Sequence, residues 1–363
     1  MKKILILGDA NSSHIEKWVT AIAAKGYIVK IFSLTIYTGN SLKEKGIEVV
    51  NSAYASKRKI LYPLAVDELW QLIKDFKPDL LHAHYASSYG LLGALSRFHP
   101  YILSVWGSDV YSFPQKSSFH KRIFKFNLKK ADKICSTSNS MKEEIKKYTG
   151  KDISVIPFGV DLNAFKPMPV HHVFKGDAVV IGTVKTLEKE YGLEYLVEAF
   201  ALLKKRAKEF PLKLLIVGKG SLEMELKEKA QILGIQADVV FTGYIAPVEV
   251  PYYQNMLTIS VFPSLSESFG VSVVEAMACE KPVIATNVGG LPEVVENNVT
   301  GIIVPPANVE KLAEAIETLV RDEQLRSKFG KEGRSRVERL YNWDNNLASM
   351  IEIYETMTSQ KGA

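Results

Sequence analysis

The chain is predicted to be an α/β protein made of two doubly wound, Rossmann-like domains facing a central cleft. Two observations carry this. Short apolar runs alternate with longer amphipathic segments, which implies parallel strands joined by crossover helices. The alternation runs once before and once after a looser stretch, 163–177, that holds Pro167, Pro169, His171 and His172. The length of 363 residues also suits two domains.

In the first half, residues 3–7 form the opening strand. Their apolar run is too short for a secretion signal and ends in Gly8-Asp9. Residues 14–25 place Ile15, Trp18, Val19 and Ile22 at helical spacing, and Gly26 ends the helix. Strands follow at 27–32, 80–83, 101–105 and 132–136. A helix at 66–76 stops before Pro78, another starts at Ser140, and a strand at 154–156 ends at Pro157. The second half repeats the pattern. Strands are expected at 178–183, 213–218, 239–243, 259–263 and 282–286. Helices are expected at 193–208, at 222–233 closed by Gly234, and at 343–357 behind an acidic cap at Asp344.

Composition narrows the class. Hydrophobic content of 47% and charged content of 24% describe an ordinary globular protein. The chain has no apolar run long enough to span a bilayer. Cys135 and Cys279 are few, far apart and expected to be reduced, so a cytoplasmic location follows. Residues 1–165 hold 24 Lys+Arg against 14 Asp+Glu, a net of +10; the rest holds 22 against 26, a net of −4. The basic half suggests an anionic partner. Within it, 119–133 interleaves Ile123, Phe124, Phe126 and Leu128 with Lys121, Arg122, Lys125, Lys129 and Lys130. Such a segment suits an anionic membrane surface, or a solvated helix with one face in the core. No nucleic-acid motif accompanies the charge.

The most informative stretch is 263–295. Glu267 and Glu275 stand eight apart across what reads as a helix start, with Ser266 or Ser268 as cap and Gly270 admitting a ligand. Eight helical positions bring the second carboxylate to roughly the same side, about 12 Å along. Between the acids lie the amide groups of a helix N-terminus, which attract phosphate. Two hydroxyl-binding acids around an anion site suit a sugar–diphosphate–sugar. Gly289-Gly290 reads as a tight loop at the carboxyl end of the 282–286 strand, where ligands collect in an open α/β sheet.

This stretch resembles the retaining glycosyltransferases of family 4, which have the GT-B fold. The resemblance rests on Glu267 to Glu275, on Gly289-Gly290-Leu291-Pro292-Glu293, on Pro157-Phe158-Gly159-Val160-Asp161 and on Trp343. It implies an acceptor-side domain over 1–165, joined by a C-terminal helix over 343–360 that crosses back to it, and a nucleotide-sugar domain over 175–340. It implies that Glu267 lies by the donor sugar and Glu275 binds the ribose. Backbone amides from Ser268 through Phe269, Gly270 and Val271 would hold the diphosphate.

Departure of a diphosphate leaves negative charge that something positive must meet. The sequence contains no Asp-x-Asp metal motif, so no metal and no cofactor are expected. A basic clamp with a helix N-terminus is the alternative. In the loop 182–192, Lys185 is the first candidate and Lys189 the second; the family's later lysine position reads Glu190-Tyr191-Gly192 here. Gly8, opening the loop 8–14, is expected near acceptor or diphosphate, and Gly218 in a turn toward the donor base. Neither has the spacing of a dinucleotide fingerprint. Where the family has His-Gly-x-Asp, this chain has Trp106-Gly107-Ser108-Asp109. Tryptophan cannot act as a base but can stack on a sugar. Asp109 and His84 are then the candidate polar groups at the acceptor. His82 and His84 are expected on opposite faces of their strand, so that at most one faces substrate. A metal role for His171 and His172 lacks supporting acids.

The reading is a glycosyltransferase that moves a hexose-type sugar, with retention, from a nucleotide-diphosphate sugar to a glycan or lipid-linked acceptor. Two alternatives stand: an epimerase or hydrolase of the same fold, and a non-catalytic membrane-associated binder. The sequence does not name the base, sugar, acceptor or linkage.

Overall fold

The computed structural model describes residues 1–171, 173–174 and 176–359; His172 and the expected boundary residues 175 and 360 lie outside these. The chain divides into two compact units, Met1–Pro157 with the chain from Asn345 onward, and Phe158–Asp344.

The first unit is a parallel sheet of seven strands: β1 (Lys3–Leu7), β2 (Ile28–Ser33), β3 (Glu48–Asn51), β4 (Leu80–His84), β5 (Tyr101–Ser104), β6 (Lys133–Ser136) and β7 (Ile153–Val155). Their order is β3-β2-β1-β4-β5-β6-β7. The winding therefore reverses between β1 and β4, which pair in parallel with Ile6 opposite His82. A crevice opens beyond the strand ends at such a reversal. β1, β4 and β5 are buried on both faces, so they read as continuous apolar runs. One element without a sequence signal is the helix Ser88–Ser96. It is apolar on nearly every side because the helix Ser118–Lys130 and the 3-10 segment Lys59–Ala65 both pack on it, so it shows no amphipathic period.

The helix Trp343–Ser359 carries the chain back into this unit. Its Asn346 side-chain amide donates to the Pro157 carbonyl at 3.2 Å. Its Tyr354 is fully buried, with the hydroxyl 2.6 Å from His82 Nδ1. Lys2 and Tyr27 both bind its Glu355.

The second unit is a parallel sheet of six strands: β8 (Val179–Val184), β9 (Leu212–Val217), β10 (Val239–Phe241), β11 (Ile259–Phe262), β12 (Val283–Thr286) and β13 (Gly301–Val304). The order is β10-β9-β8-β11-β12-β13, so here the winding reverses between β8 and β11. The described part of the stretch expected as a linker, 163–177, belongs to this unit. Three contacts hold it there. Asn255 accepts from the Met168 amide and donates to the Lys166 carbonyl, and Arg334 donates to the Phe165 carbonyl. The prolines mark a strapped segment, and the crossings fall instead at Pro157–Phe158 and Asp344–Asn345. No helix among the described residues is long and apolar enough to cross a membrane.

Candidate active site

In the second unit the loops leaving β8 and β11 meet at the reversal. Lys185 follows β8 directly. Its Nζ lies 2.6 Å from Glu267 Oε2, and each side chain keeps only 12% of its exposure. The Tyr191 ring lies 4.0 Å from the same ammonium, a cation–π contact that fixes the lysine from a second side. The loops are tied through backbone too. Leu265 and Ser266 both donate to the Glu190 carbonyl, at 2.8 and 3.1 Å. Gly192 turns with φ +59°, and an added Cβ would lie 2.4 Å from the Pro263 carbonyl. Gly218, at the end of β9, comes so close that its Cβ would lie 2.0 Å from the Lys185 carbonyl. It supports the lysine's backbone from behind.

Glu267 is held as firmly. Gly289 has φ +51°, and a Cβ there would lie 1.7 Å from the Glu267 carbonyl, whose oxygen accepts from the Gly290 amide at 3.2 Å. The side chain turns back so that Oε1 accepts from the Ser268 amide at 3.2 Å. Behind it the Phe269 ring is buried against Phe158 and Tyr341, with centroids 6.2 and 5.4 Å away. That anchorage leaves the peptide groups of 268–271 at the helix mouth.

The helix begins later than expected. It runs Val271–Ala278, with Gly270 in the cap position at φ +101° and no side-chain cap, so neither Ser266 nor Ser268 caps it. The residues between β11 and Gly270 are committed to the loop contacts above. Glu267 therefore precedes the helix by four residues, and the half-buried Glu275 stands in its second turn. Lys189 is exposed in the turn Lys189–Tyr191. The structure thus brings Lys185, Glu267, Ser268, Phe269, Gly270, Val271 and Gly218 together at one strand edge.

In the first unit a second cluster forms beyond β1, β4 and β5. The His84 ring lies 4.1 Å from His82 and 4.8 Å from Trp106, which also lies 5.9 Å from His14 and 6.3 Å from Tyr85. The expectation of opposite faces for His82 and His84 is corrected: residues two apart on a strand share a face, and the two rings stack. His82 uses both nitrogens, toward Tyr354 and toward Ser104 Oγ at 2.7 Å. His84 is 3% exposed, and among the described residues neither ring nitrogen has a hydrogen-bond partner. Burial pushes its pKa down to about 3, so the ring is neutral. Tyr85 holds φ +83°, an unusual conformation for a tyrosine at a strand end.

Asp109 behaves differently from a ligand-facing acid. Its Oδ1 accepts from the Trp106 and Gly107 amides at 3.1 and 2.7 Å, and its Oδ2 from the Ala86 amide at 2.7 Å. It clamps the loops after β4 and β5 and so positions Trp106. Gly8 hydrogen-bonds the Phe32 carbonyl and lies against Ile15; it shapes the first turn beyond β1. Tyr191, His14 and Tyr85 were not singled out in the sequence. No apolar periodicity marks them: Tyr191 and Tyr85 sit in turns beyond strands, and His14 is a polar residue in the first turn of the helix Ser13–Ala24. Among the described residues, no group of three or more His, Cys, Asp or Glu side chains is arranged to hold a metal ion.

A doubly wound unit with an acid–lysine pair at its reversal and a helix mouth beside it, preceded by a second doubly wound unit, defines a two-domain transferase of the GT-B class. The chain belongs to the group 1 glycosyltransferases and is a glycosyltransferase: the model of Glycosyl transferases group 1 matches residues 166–336, and that of Glycosyl transferase 4-like matches residues 3–138. A putative teichuronic acid biosynthesis glycosyltransferase of Bacillus subtilis is 28% identical over 301 residues, covering 78% of this chain and 72% of that one. Among solved structures, sucrose-phosphate synthase from Thermosynechococcus elongatus superposes with a TM-score of 0.83 at 22% identity, over 99% of this chain and 100% of that one. The Anabaena protein HepE in complex with UDP-glucose superposes with a TM-score of 0.81 at 20% identity, over 98% and 100%. These two likenesses are of fold.

Proposed function

We propose that this glycosyltransferase takes a hexose-type sugar from a nucleoside diphosphate sugar bound in the second unit, without a metal, and transfers it with retention of configuration. The observation that carries the reading is the Lys185–Glu267 pair, held by Tyr191 and by Gly289-Gly290 at the mouth of the helix Val271–Ala278. A diphosphate at that mouth meets backbone amides and one fixed cation, and these are the charges its departure requires. Glu267 then lies by the sugar. Glu275 and Gly218 lie toward the nucleoside, and Lys189 at the rim is a second phosphate contact. The leaving phosphate itself takes the acceptor proton, so no strong base is needed; NMR of the first-formed product would reveal inversion instead. HepE, of like fold, is described with UDP-glucose, which supports the donor class.

The acceptor is a glycan or lipid-linked sugar. It is received by the first unit, where Trp106 offers a ring face and the two unpartnered nitrogens of His84 lie buried beside it. The Bacillus relative's name places it in teichuronic acid biosynthesis, in keeping with such an acceptor. The protein is proposed to work in the cytoplasm, with the segment 119–133 against an anionic membrane surface.

The test is a thermal-shift screen of UDP-, GDP- and ADP-sugars with EDTA present. One nucleotide should stabilise the protein selectively. Stabilisation only when divalent metal is added would remove metal independence, and none from any nucleotide sugar would remove the donor reading.

A further inference from the structure

The 3-10 segment Lys59–Ala65 presents aliphatic side chains to solvent. Ile60 and Leu64 are 82% and 52% exposed. Immediately before them stand Lys57, Arg58 and Lys59, all exposed. Single exposed aliphatic residues are ordinary, but two on one short segment flanked by three consecutive cations make an amphipathic surface. The helix Ser118–Lys130 repeats the combination. Its Phe124 and Leu128 are fully buried, but Phe119 and Phe126 are 68% and 37% exposed. At about 100° per residue, Phe119 and Phe126 fall within about 20° of one another, and Arg122 and Lys129 form a parallel stripe about 60° round. An apolar stripe beside a cationic one suits the headgroup boundary of a bilayer.

Three facts join the two segments. Both pack on the helix Ser88–Ser96. Both begin beyond the C-terminal ends of strands, β3 and β5, on the sheet edge that carries His84 and Trp106. Neither contains an acidic residue, and among the described residues none of their lysines or arginines forms an ion pair. Elsewhere in the unit, lysines such as Lys133 and Lys147 are paired with acids.

We propose that residues 57–64 are a second membrane-contact element, which engages an anionic lipid surface together with the helix Ser118–Lys130. Ile60 and Leu64 enter the interface, and Lys57, Arg58 and Lys59 meet the headgroups. The inference rests on the membrane reading of the helix and extends it from one contact to two. Two contacts fix the tilt of the unit, and the edge bearing His84 and Trp106 faces the lipid.

The experiment is co-sedimentation of the full chain with phosphatidylcholine vesicles, with and without roughly a third phosphatidylglycerol. The variants are Ile60→Ser with Leu64→Ser, and Arg122→Glu with Lys125→Glu, each checked for an unchanged melting temperature. All four positions are on the surface, so the fold should tolerate them. The parent should bind only the anionic vesicles and be released by ~0.5 M salt. Each double variant should weaken binding by about tenfold or more. If only the helix variant loses binding, the second contact is wrong while the reading of the helix survives. If the parent binds neither vesicle, both fall. Nucleotide-sugar stabilisation, measured separately, is independent of either result.

Discussion

Lys185 and Glu267 are separated by 82 residues yet share one hydrogen bond, and both are largely withdrawn from water. Charges so placed need partners. In this structure each partners the other; the proposed function has Lys185 face the diphosphate as well once donor binds. Lys185→Ala should therefore lower turnover by about 10²–10³-fold, the loss expected for one preorganised charge stabiliser, with a smaller change in KM. Steady-state kinetics on the donor found in the screen would check this. Equal turnover in the variant would contradict it. Both residues of the pair were legible through the family resemblance; a lysine after a strand and an acid near a helix start are weak signals by position alone. Tyr191 was not, since its ring reaches Lys185 only through the tight turn at Gly192. The role of Asp109 was also hidden. Its residue type suggests chemistry, while its three amide partners can be seen only once the loops are folded.

His84 makes a separate prediction in acid. Burial holds its folded pKa at about 3, against an ordinary 6.5. Between those values the unfolded chain binds a proton that the folded chain does not. Stability therefore falls as pH drops through this window, by about 1.4 kcal/mol per pH unit for that group. Burial shifts His82 in the same direction. His84→Phe should flatten the loss between about pH 6 and pH 4. Tryptophan fluorescence reads it, since Trp18, Trp70 and Trp106 all belong to the first unit. A variant as acid-sensitive as the parent would contradict the assignment.

At the scale of elements, the site depends on the helix Val271–Ala278 and on the Gly289-Gly290 loop, which presses against the chain ahead of it. Gly289→Ala combines a positive φ with a Cβ that would stand 1.7 Å from backbone oxygen. The expected cost is about 3 kcal/mol or more of the second unit's stability, together with lost donor binding. Chemical denaturation and the thermal-shift response would both report it; a variant within about 0.5 kcal/mol of the parent would contradict the close approach. The strands β1, β4, β8, β9 and β11 were legible because double burial writes them as apolar runs between turn residues. The helix start was misplaced by several residues, because a glycine cap leaves no hydrogen-bonding side chain to read. The helix Ser88–Ser96 gave no signal, since a segment covered on most sides has no polar face.

At the scale of the whole molecule, the chain returns to its first unit through the helix Trp343–Ser359, and Tyr354 is that helix's deepest anchor. Tyr354→Ala should remove a buried ring and leave His82 short of one partner. The expected loss is about 3–5 kcal/mol in the first unit, seen as an earlier transition in tryptophan fluorescence. Melting unchanged from the parent would mean that the tail is not anchored there. The two-unit plan was legible from the repeated alternation and from the motifs at either end of the second half. The crossing points were not. Proline and histidine in 163–177 looked like a linker, but hydrogen bonds from Asn255 and Arg334, remote in sequence, bind that stretch to the second unit.

On the proposed function, the mouth of the helix Val271–Ala278, with Lys185 beside it, receives the diphosphate of a sugar donor. A crystal structure of the protein soaked with its stabilising nucleotide sugar in EDTA tests this most directly. Phosphate oxygens should then lie within hydrogen-bond reach of the 268–271 amides and of Lys185 Nζ, with Glu267 toward the sugar. Donor density elsewhere, or a diphosphate bound with Lys185 still turned wholly to Glu267, would contradict it.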